Sequence, residues 1–182
     1  MIGRTKNAII DSFNYLIRTT DFEQITAQKI ADVAGISKAT FYRYFKDKYE
    51  VMNYNYKELL DRLLESPKCS DYRSLYYLLF FLGKRDWQFL HRAFKITGSN
   101  SLSDFIYEYS FETVLKITRM NRNGEGLTPT EQLQLDVFCI GISSMYRKWI
   151  FDGYALTANE AADGLFEMMP ESLKYYWLQS KK

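Results

Sequence analysis

The residues between positions 26 and 48 have types and spacing suited to contact with a polyanion rather than to covalent chemistry. Lysines, an arginine, hydroxyls and an amide in this stretch can donate hydrogen bonds to phosphate oxygens and base edges. Ala31, Gly35 and Phe41 stand among them at the spacing of a helix-turn-helix. A small residue at Ala31 lets two helices cross closely, and Gly35 can adopt the positive φ of a sharp turn. This pattern predicts a short helix that enters the major groove of DNA.

Helix caps define the elements that would position these residues. Thr26 and Ser37 have side chains that can accept a hydrogen bond from a free amide in the first turn of a helix. Asp47, followed by Glu50 at the capping-box spacing, is a third candidate. Ser66-Pro67 ends the helix that Asp47 begins, because a residue before proline is forced out of the α region. The predicted helices cover 27 to about 34, 38 to 45 and 47 to about 65, after a first helix that ends near 18.

An apolar set within this stretch is expected to form the small core that fixes the crossing angle of the helices. With the core residues inward, the polar side chains of the third helix face outward. The expected core residues are Ile30, Val33, Ile36, Phe41 and Phe45.

The segment from Ile25 to Lys48, ITAQKIADVAGISKATFYRYFKDK, resembles the DNA-binding signature of the TetR family of bacterial regulators. The similarity covers about a quarter of the chain. It implies an all-α fold and a homodimer in which each head places its third helix in one of two successive major grooves of a palindromic operator. It also implies a C-terminal domain that pairs the subunits and usually holds a small-molecule effector. On this resemblance we expect an effector-responsive repressor.

The resemblance also implies roles for individual residues. Thr26, Tyr42 and Lys48 match positions at which family members contact phosphates. Other positions reach or face the bases, and the last two of them vary with the operator. They are Gln28, Lys38, Ala39, Thr40, Arg43 and Tyr44.

The rest of the chain predicts a second part made of helices. Apolar residues fall at helical spacing, and no stretch alternates with period two for long enough to indicate a sheet. We therefore expect an all-α, two-part architecture, with a DNA-binding head at 1–65 and a body for effector binding and dimerisation at 66–182. The body helices are expected at about 72–82, 85–97, 102–120, 129–152 and 158–169. The last two begin at the capping boxes of Thr128 and Thr157.

The body offers two functional patterns, each with a structural alternative. Its many aromatic residues could line a pocket for an apolar or amphipathic effector, or could serve only to pack the helices together. The candidate ligand-binding residues are His91, Phe94, Tyr107, Phe111, Met145 and Trp149. Apolar stripes on the last two long helices predict pairing with a second copy, or else completion of the monomer core. They comprise Leu133, Val137, Ile140, Leu165 and Met169, with Gly141 and Ser144 small enough for close approach.

Composition argues against several other classes of protein. The 182 residues carry a net charge of only +2 and are 47% hydrophobic, so any DNA-binding surface must be local. Cys69 and Cys139 are isolated, no secretory signal opens the chain, and its most apolar run is far shorter than a membrane span. We therefore expect a cytoplasmic protein without membrane association.

No recognisable motif for enzyme catalysis occurs in the sequence, which has no glycine-rich phosphate loop, paired metal-binding histidines or activated nucleophile. We expect no enzyme activity, metal or cofactor. The segment from Met145 to Met169 resembles the C-terminal domains of TetR-like proteins from low-GC Gram-positive bacteria, some of which are partner or activator proteins. The sign of regulation therefore stays open, and the competing hypothesis is a helical co-activator or protein-interaction adaptor.

Overall fold

The computed structural model describes residues 2–153 and 155–177, and every regular element in those ranges is helical. The all-α prediction is confirmed. A single 3-10 turn, Phe22–Gln24, follows the first helix. The α-helices are α1 Ile2–Thr19, α2 Ala27–Ala34, α3 Lys38–Tyr42, α4 Lys48–Leu64, α5 Tyr72–Arg85, α6 Trp87–Ala93, α7 Leu102–Asn121, α8 Pro129–Phe151, α9 Ala158–Met168 and α10 Glu171–Lys174. Within the described ranges, no helix combines the length and apolarity needed to cross a membrane.

The predicted caps begin the helices that they were expected to begin. The Thr26 and Ser37 hydroxyls accept the backbone N–H groups three residues later, and Thr128 and Thr157 each form a complete capping box. Asp71 forms a further capping box before α5, with a serine in place of the usual Glu or Gln, which is why the sequence pattern did not reveal it. Local side-chain chemistry therefore defines the starts of these helices.

Helix ends differ more from expectation than helix starts. The third helix is regular only as far as Tyr42, where 38 to 45 was expected, and the helix expected at 85–97 is limited to Trp87–Ala93. The Phe22–Gln24 turn and α10 were not predicted. These are elements of three to seven residues, too short for apolar periodicity to identify them.

The chain folds as two compact units whose bounds are not those of the expected domains. One unit contains the chain up to Leu59 together with Gln88–Leu102, and the other contains Leu60–Trp87 and the chain from Ser103 onward. Contacts from two residues explain why the later segment belongs to the first unit. The Arg92 guanidinium donates to the Thr20 carbonyl at 3.1 Å, and the Asn53 amide donates to the Asn100 carbonyl at 3.2 Å. The expected functional division near residue 65 remains a prediction.

The core of the first unit differs at one residue from the expected set. Ile30, Phe41 and Phe45 are buried and Ile36 is partly buried, but 49% of Val33 is exposed, so the prediction for Val33 is wrong. The reason is helical geometry. The inward stripe of α2 runs through Ile30 and Ala31, and Val33 lies two residues, or about 200°, beyond Ala31. The core of this unit also includes buried residues of α1, which packs against α2; among them are Ile9, Phe13 and Ile17.

In the second unit, α5 packs against α8 and α9. Phe80 contacts two rings of α8, with its centroid 5.3 Å from that of Tyr146 and 4.9 Å from that of Trp149. The Tyr146 hydroxyl donates to the Leu79 carbonyl at 3.2 Å. Aromatic packing thus joins α5 to α8 inside this unit.

Candidate nucleic-acid interface

The turn between α2 and α3 has the geometry that its residue types predict. Gly35 has φ +66°, and a Cβ at this position would meet nothing within 4 Å, so the backbone conformation alone requires glycine. The N–H groups of Gly35 and Ile36 donate to the carbonyls of Asp32 and Ala31 at 3.2 and 3.0 Å, which is a Schellman motif. Ala31 is fully buried. The expected helix-turn-helix is therefore present.

Exposure divides α3 and its last turn into two faces. Phe41 is fully buried, with its ring centroid 6.2 Å from that of Phe45. Lys38 and Ala39 are exposed at the start of the helix, and 53% of Tyr42 is exposed one turn later. Arg43, also exposed, extends the same surface. Four of the side chains expected to contact DNA are therefore presented together to solvent.

Three further candidates are engaged in short-range hydrogen bonds. The Thr26 hydroxyl accepts from Lys29 N–H at 3.2 Å, and the Gln28 amide donates to the Asp32 carboxylate at 2.7 Å. The hydroxyl of Thr40 pairs with that of Ser37 at 2.9 Å. All three bonds are at the surface. Replacing one of them by a hydrogen bond to DNA costs little free energy, because water can satisfy the group that is released.

Lys48 is placed differently from the exposed candidates. Only 14% of its side chain is exposed, and Nζ donates to the Phe22 carbonyl at 2.6 Å. The same ammonium lies 4.1 Å from the centroid of the Phe22 ring. Burial lowers the pKa of Lys48, and the carboxylates of Glu23 and Asp47 partly oppose that shift. Tyr44 is also partly buried. The phosphate-contact role of Lys48 remains a prediction.

Positive charge borders the exposed face on several sides. Lys29 on α2, Lys38 and Arg43 on α3 and Lys46 in the following turn are all exposed. Their side chains supply the local cationic surface that the small net charge of the chain does not.

Lys6 is a structural contact that sequence patterns do not reveal. Its Nζ lies 3.4 Å from the centroid of the Tyr54 ring and 5.5 Å from that of Phe45. This cation–π contact joins α1 to α4. Because 48 positions separate Lys6 from Tyr54, no periodicity or local motif could have indicated it.

The six candidate ligand-binding residues do not lie in one unit. His91 and Phe94 belong to the first unit, where Phe94 is buried, and desolvation together with Lys95 and Arg92 lowers the pKa of His91. Their membership of the first unit could not be predicted, because it depends on contacts of the segment 88–102 with residues far away in sequence.

The other four candidates belong to the second unit. Tyr107 donates a hydrogen bond to Asp136 at 2.9 Å, and its ring centroid is 6.4 Å from that of Phe111. Met145 is partly buried, whereas Trp149 is buried and its indole N–H donates to the Leu156 carbonyl at 2.9 Å. Ordinary helix packing accounts for Trp149, and the ligand-binding role of the set remains a prediction.

The apolar stripes of α8 and α9 have different environments. Leu133, Val137 and Ile140 are 64%, 63% and 56% exposed, whereas Leu165 and Met169 are buried. The prediction that these stripes pair with a second copy is therefore wrong for Leu165 and Met169, and the alternative, completion of the monomer core, applies to them. The inner face of α9 packs on α5, so Leu165 and Met169 complete the core of their own unit.

The cysteines have no character of activated nucleophiles. Both are buried, and burial raises the pKa of Cys69 to about 11 and that of Cys139 to about 12. Each is a protonated thiol at neutral pH, whereas a thiolate is the reactive form.

Comparison with known proteins identifies the N-terminal part. Residues 9–54 match the family model described as bacterial regulatory proteins of the tetR family. That match includes the whole helix-turn-helix and the start of α4. No curated protein matches the sequence significantly.

Solved structures share the fold over nearly the whole chain. The dihydroxyacetone kinase operon activator DhaS has a TM-score of 0.64 at 17% identity, covering 96% of this chain and 98% of that one. The fatty acid degradation regulator FadR from Bacillus halodurans has a TM-score of 0.59 at 15% identity, with 91% and 94% covered. NalD, the secondary repressor of the MexAB-OprM multidrug efflux pump in Pseudomonas aeruginosa, has 0.51 at 18%, with 93% and 96% covered.

Proposed function

From the premise that this chain is a DNA-binding regulator carrying the N-terminal domain of the TetR family, we propose that it binds a palindromic operator as a homodimer and acts as an effector-responsive repressor. The observation that carries the proposal is the exposed face of α3, the helix expected to enter the major groove. Lys38, Ala39, Tyr42 and Arg43 face solvent there, while Phe41 holds the opposite side in the core. A helix presented in this way can enter the major groove.

The chemistry of the side chains on this face indicates which of them contact bases and which contact phosphates. The guanidinium of Arg43 and the ammonium of Lys38 match the acceptor pair of guanine, whereas the exposed methyl of Ala39 matches the methyl of thymine. Tyr42 and Thr26 have hydroxyls suited to phosphate oxygens. We assign base reading to Arg43, Lys38 and Ala39, together with Gln28 and Thr40. We assign contact with the DNA backbone to Tyr42 and Thr26.

Selection from a pool of random duplexes with the purified protein tests this function. We expect the recovered sequences to converge on two inverted half-sites whose centres are about 10 base pairs, or 34 Å, apart. Arg43→Ala should relax the preference at one base pair of each half-site and cost about 1–3 kcal/mol per lost bidentate contact. Lys68→Ala, at an exposed lysine outside the proposed face, is the matched control.

Absence of any enriched sequence, together with absence of salt-sensitive affinity for duplex DNA, would contradict this function. It would favour the competing protein-interaction adaptor.

The exposed face of α8 supports the homodimer. Leu133, Val137 and Ile140 form a stripe of large apolar side chains, and Gly141 beside them meets nothing within 4 Å at its Cβ position. A glycine inside a helix costs about 1 kcal/mol relative to alanine. The packing of the chain on itself does not require that glycine. Close approach of a second copy of α8 explains both the stripe and the glycine.

Gly164 supplies the same argument on α9, since it is exposed, lies inside the helix and has open space at its Cβ position. Two copies of α8 and α9 around a two-fold axis would form a four-helix bundle. Such an isologous contact also places two heads in the symmetric relation that a palindromic site requires.

Buried polar groups of the second unit support an effector with a hydrogen-bonding group. The hydroxyls of Tyr72 and Thr118 are buried and have no hydrogen-bond partner among the described residues. Buried polar groups of this kind normally have partners, and leaving one unsatisfied costs about 1–3 kcal/mol. An amphipathic ligand would supply the partner, in keeping with the effector expected from the family resemblance.

Calorimetric titration of an effector found by thermal-shift screening tests this part. Linkage requires that operator DNA weaken the effector by the same factor by which the effector weakens DNA, typically 5–150-fold. Tyr72→Phe should leave the unliganded protein as stable as the wild type or more stable, yet weaken the effector. A ligand that bound equally well with and without operator would not be the regulatory effector.

The sign of regulation has a competing assignment, since the structural relative DhaS is named an activator whereas NalD is named a repressor. A reporter gene behind a promoter that overlaps the selected site separates the two. Repression predicts higher expression when the regulator is absent. Lower expression would instead favour the activator.

A further inference from the structure

The connection between α1 and α2, hereafter the α1–α2 turn, comprises residues 20 to 25 and is bound by two cations from distant parts of the chain. Carbonyls at and beyond the end of a helix lack helical partners and need other donors. The Thr20 carbonyl accepts from the Arg92 guanidinium of α6 at 3.1 Å. The Phe22 carbonyl accepts from the Lys48 ammonium of α4 at 2.6 Å and from Ile25 N–H at 3.0 Å. Side chains of α4 and α6 therefore meet this turn.

The ammonium of Lys48 is enclosed by partners within the protein. Its Nζ lies 4.1 Å from the centroid of the Phe22 ring and 5.7 Å from that of Tyr49, and 4.0 Å from the Glu23 carboxylate. The two rings themselves are in edge contact, with centroids 5.1 Å apart. Only 14% of the Lys48 side chain is exposed, and movement of its ammonium out to a phosphate beyond this cluster would weaken the hydrogen bond and both ring contacts.

The position of the bond between Lys48 and the Phe22 carbonyl allows it to influence the orientation of α3. Lys48 is the first residue of α4, and the α1–α2 turn leads directly to Thr26, which caps α2. The orientation of α2 in turn determines that of α3, because the two helices share the Gly35 turn and the buried contact at Ala31. A bond between the start of α4 and this turn therefore restrains the angle at which α3 is presented.

We propose that Lys48 is a positioning residue for DNA recognition, whose ammonium stays on the Phe22 carbonyl in the DNA-bound protein and does not contact phosphate. This proposal rests on the proposed function, since it concerns the presentation of α3 to DNA. It differs from the phosphate-contact role that the family resemblance implies for Lys48.

The test compares Lys48→Met with Lys38→Met. The first variant keeps an unbranched apolar stem against Phe22 and removes the ammonium, with its hydrogen bond and its charge. The second makes the same substitution at an exposed lysine on the proposed DNA face. Two probes are used, a 30-base-pair mixed-sequence duplex for the salt dependence of binding and the selected operator for specific affinity. Thermal unfolding is followed by circular dichroism.

For Lys48→Met we expect the salt dependence on the mixed-sequence duplex to match that of the wild type. The melting temperature should fall by about 5 °C, in keeping with loss of one charge-assisted hydrogen bond. At 10 °C, where the variant is fully folded, operator affinity should fall on the order of tenfold. A residue with only a stabilising role would leave that affinity unchanged. Lys48→Arg, which keeps a donor and a cation over the ring, should recover most of it.

For Lys38→Met we expect the opposite pattern, with an unchanged melting temperature. The mixed-sequence duplex offers Lys38 no specific base, so its exposed ammonium pairs with phosphate there and its loss should make the salt slope smaller by about 0.9. The proposal for Lys48 is overturned if Lys48→Met lowers the salt slope by that amount, or if it leaves the melting temperature or the operator affinity unchanged. Failure of the proposed function is a separate result, because it would be seen as a wild-type protein that prefers no sequence.

Discussion

Gly83 in α5 lies where a side chain would collide with a fixed tyrosine of α8. A Cβ on Gly83 would stand 2.2 Å from Tyr146 Oη and 3.1 Å from its Cζ. Carbon and oxygen atoms that are not bonded normally stay well over 3 Å apart, so Gly83→Ala requires the tyrosine or a helix to move by about 1 Å. Glycine is needed at this position because α5 and α8 approach closely here.

The cost depends on how firmly Tyr146 is held. Its hydroxyl donates to the Leu79 carbonyl at 3.2 Å, its ring stacks on Trp149 with centroids 6.2 Å apart, and Phe80 contacts it edge-on. Overpacking of a core costs about 1–3 kcal/mol and a lost hydrogen bond about 1 kcal/mol. The gain in helix propensity from glycine to alanine offsets about 1 kcal/mol. The net loss of unfolding free energy for Gly83→Ala should be about 1–3 kcal/mol.

A double-mutant cycle in urea measures this loss. Tyr146→Phe removes the oxygen that an alanine Cβ would meet first, so Gly83→Ala should cost at least about 1 kcal/mol less in that background. Gly3→Ala is the control, because Gly3 is a helical glycine with nothing within 4 Å of its Cβ position. That change should be neutral or slightly stabilising. The reasoning is refuted if Gly83→Ala is as stable as the wild type, or if Tyr146→Phe brings no relief.

Three further predictions concern the proposed dimer, the Gly35 turn between α2 and α3, and the ion pair of Arg122 with Glu131. Ile140→Asp should give folded monomers in sedimentation, whereas Leu165→Asp should unfold its unit, and a wild-type protein that is monomeric at micromolar concentration would contradict the dimer. Gly35→Ala should cost about 1–2 kcal/mol by urea unfolding because of its φ of +66°; a neutral result would show that the turn relaxes. Hydrogen bonds from Arg122 lower the pKa of Glu131, so the pair stabilises the fold at neutral pH and loses its effect as pH falls below about 4.5. Glu131→Gln should therefore destabilise at pH 7 and progressively less in acid, and a pH-independent difference in unfolding free energy would exclude this pair as the cause.

Local chemistry made much of the fold predictable. Thr26, Ser37, Thr128 and Thr157 begin helices because each hydroxyl needs only the amide three residues later, which lies within the same short segment. The helix-turn-helix was predictable for the same reason, since the positive φ of Gly35 is a property of one residue and its neighbours. Patterns of this kind also predicted that α3 exposes a polar face.

Tertiary structure decided what the apolar pattern left open. Leu165 and Ile140 both lie on amphipathic helices, yet Leu165 is buried by α5 and Ile140 is exposed, because burial depends on which element packs against each face. Lys48 and Lys38 look alike as lysines at helix starts. Only the folded chain brings Phe22 to Lys48, across 26 positions, and leaves the ammonium of Lys38 at the surface. A sequence pattern specifies neighbours along the chain, and these roles depend on neighbours in space.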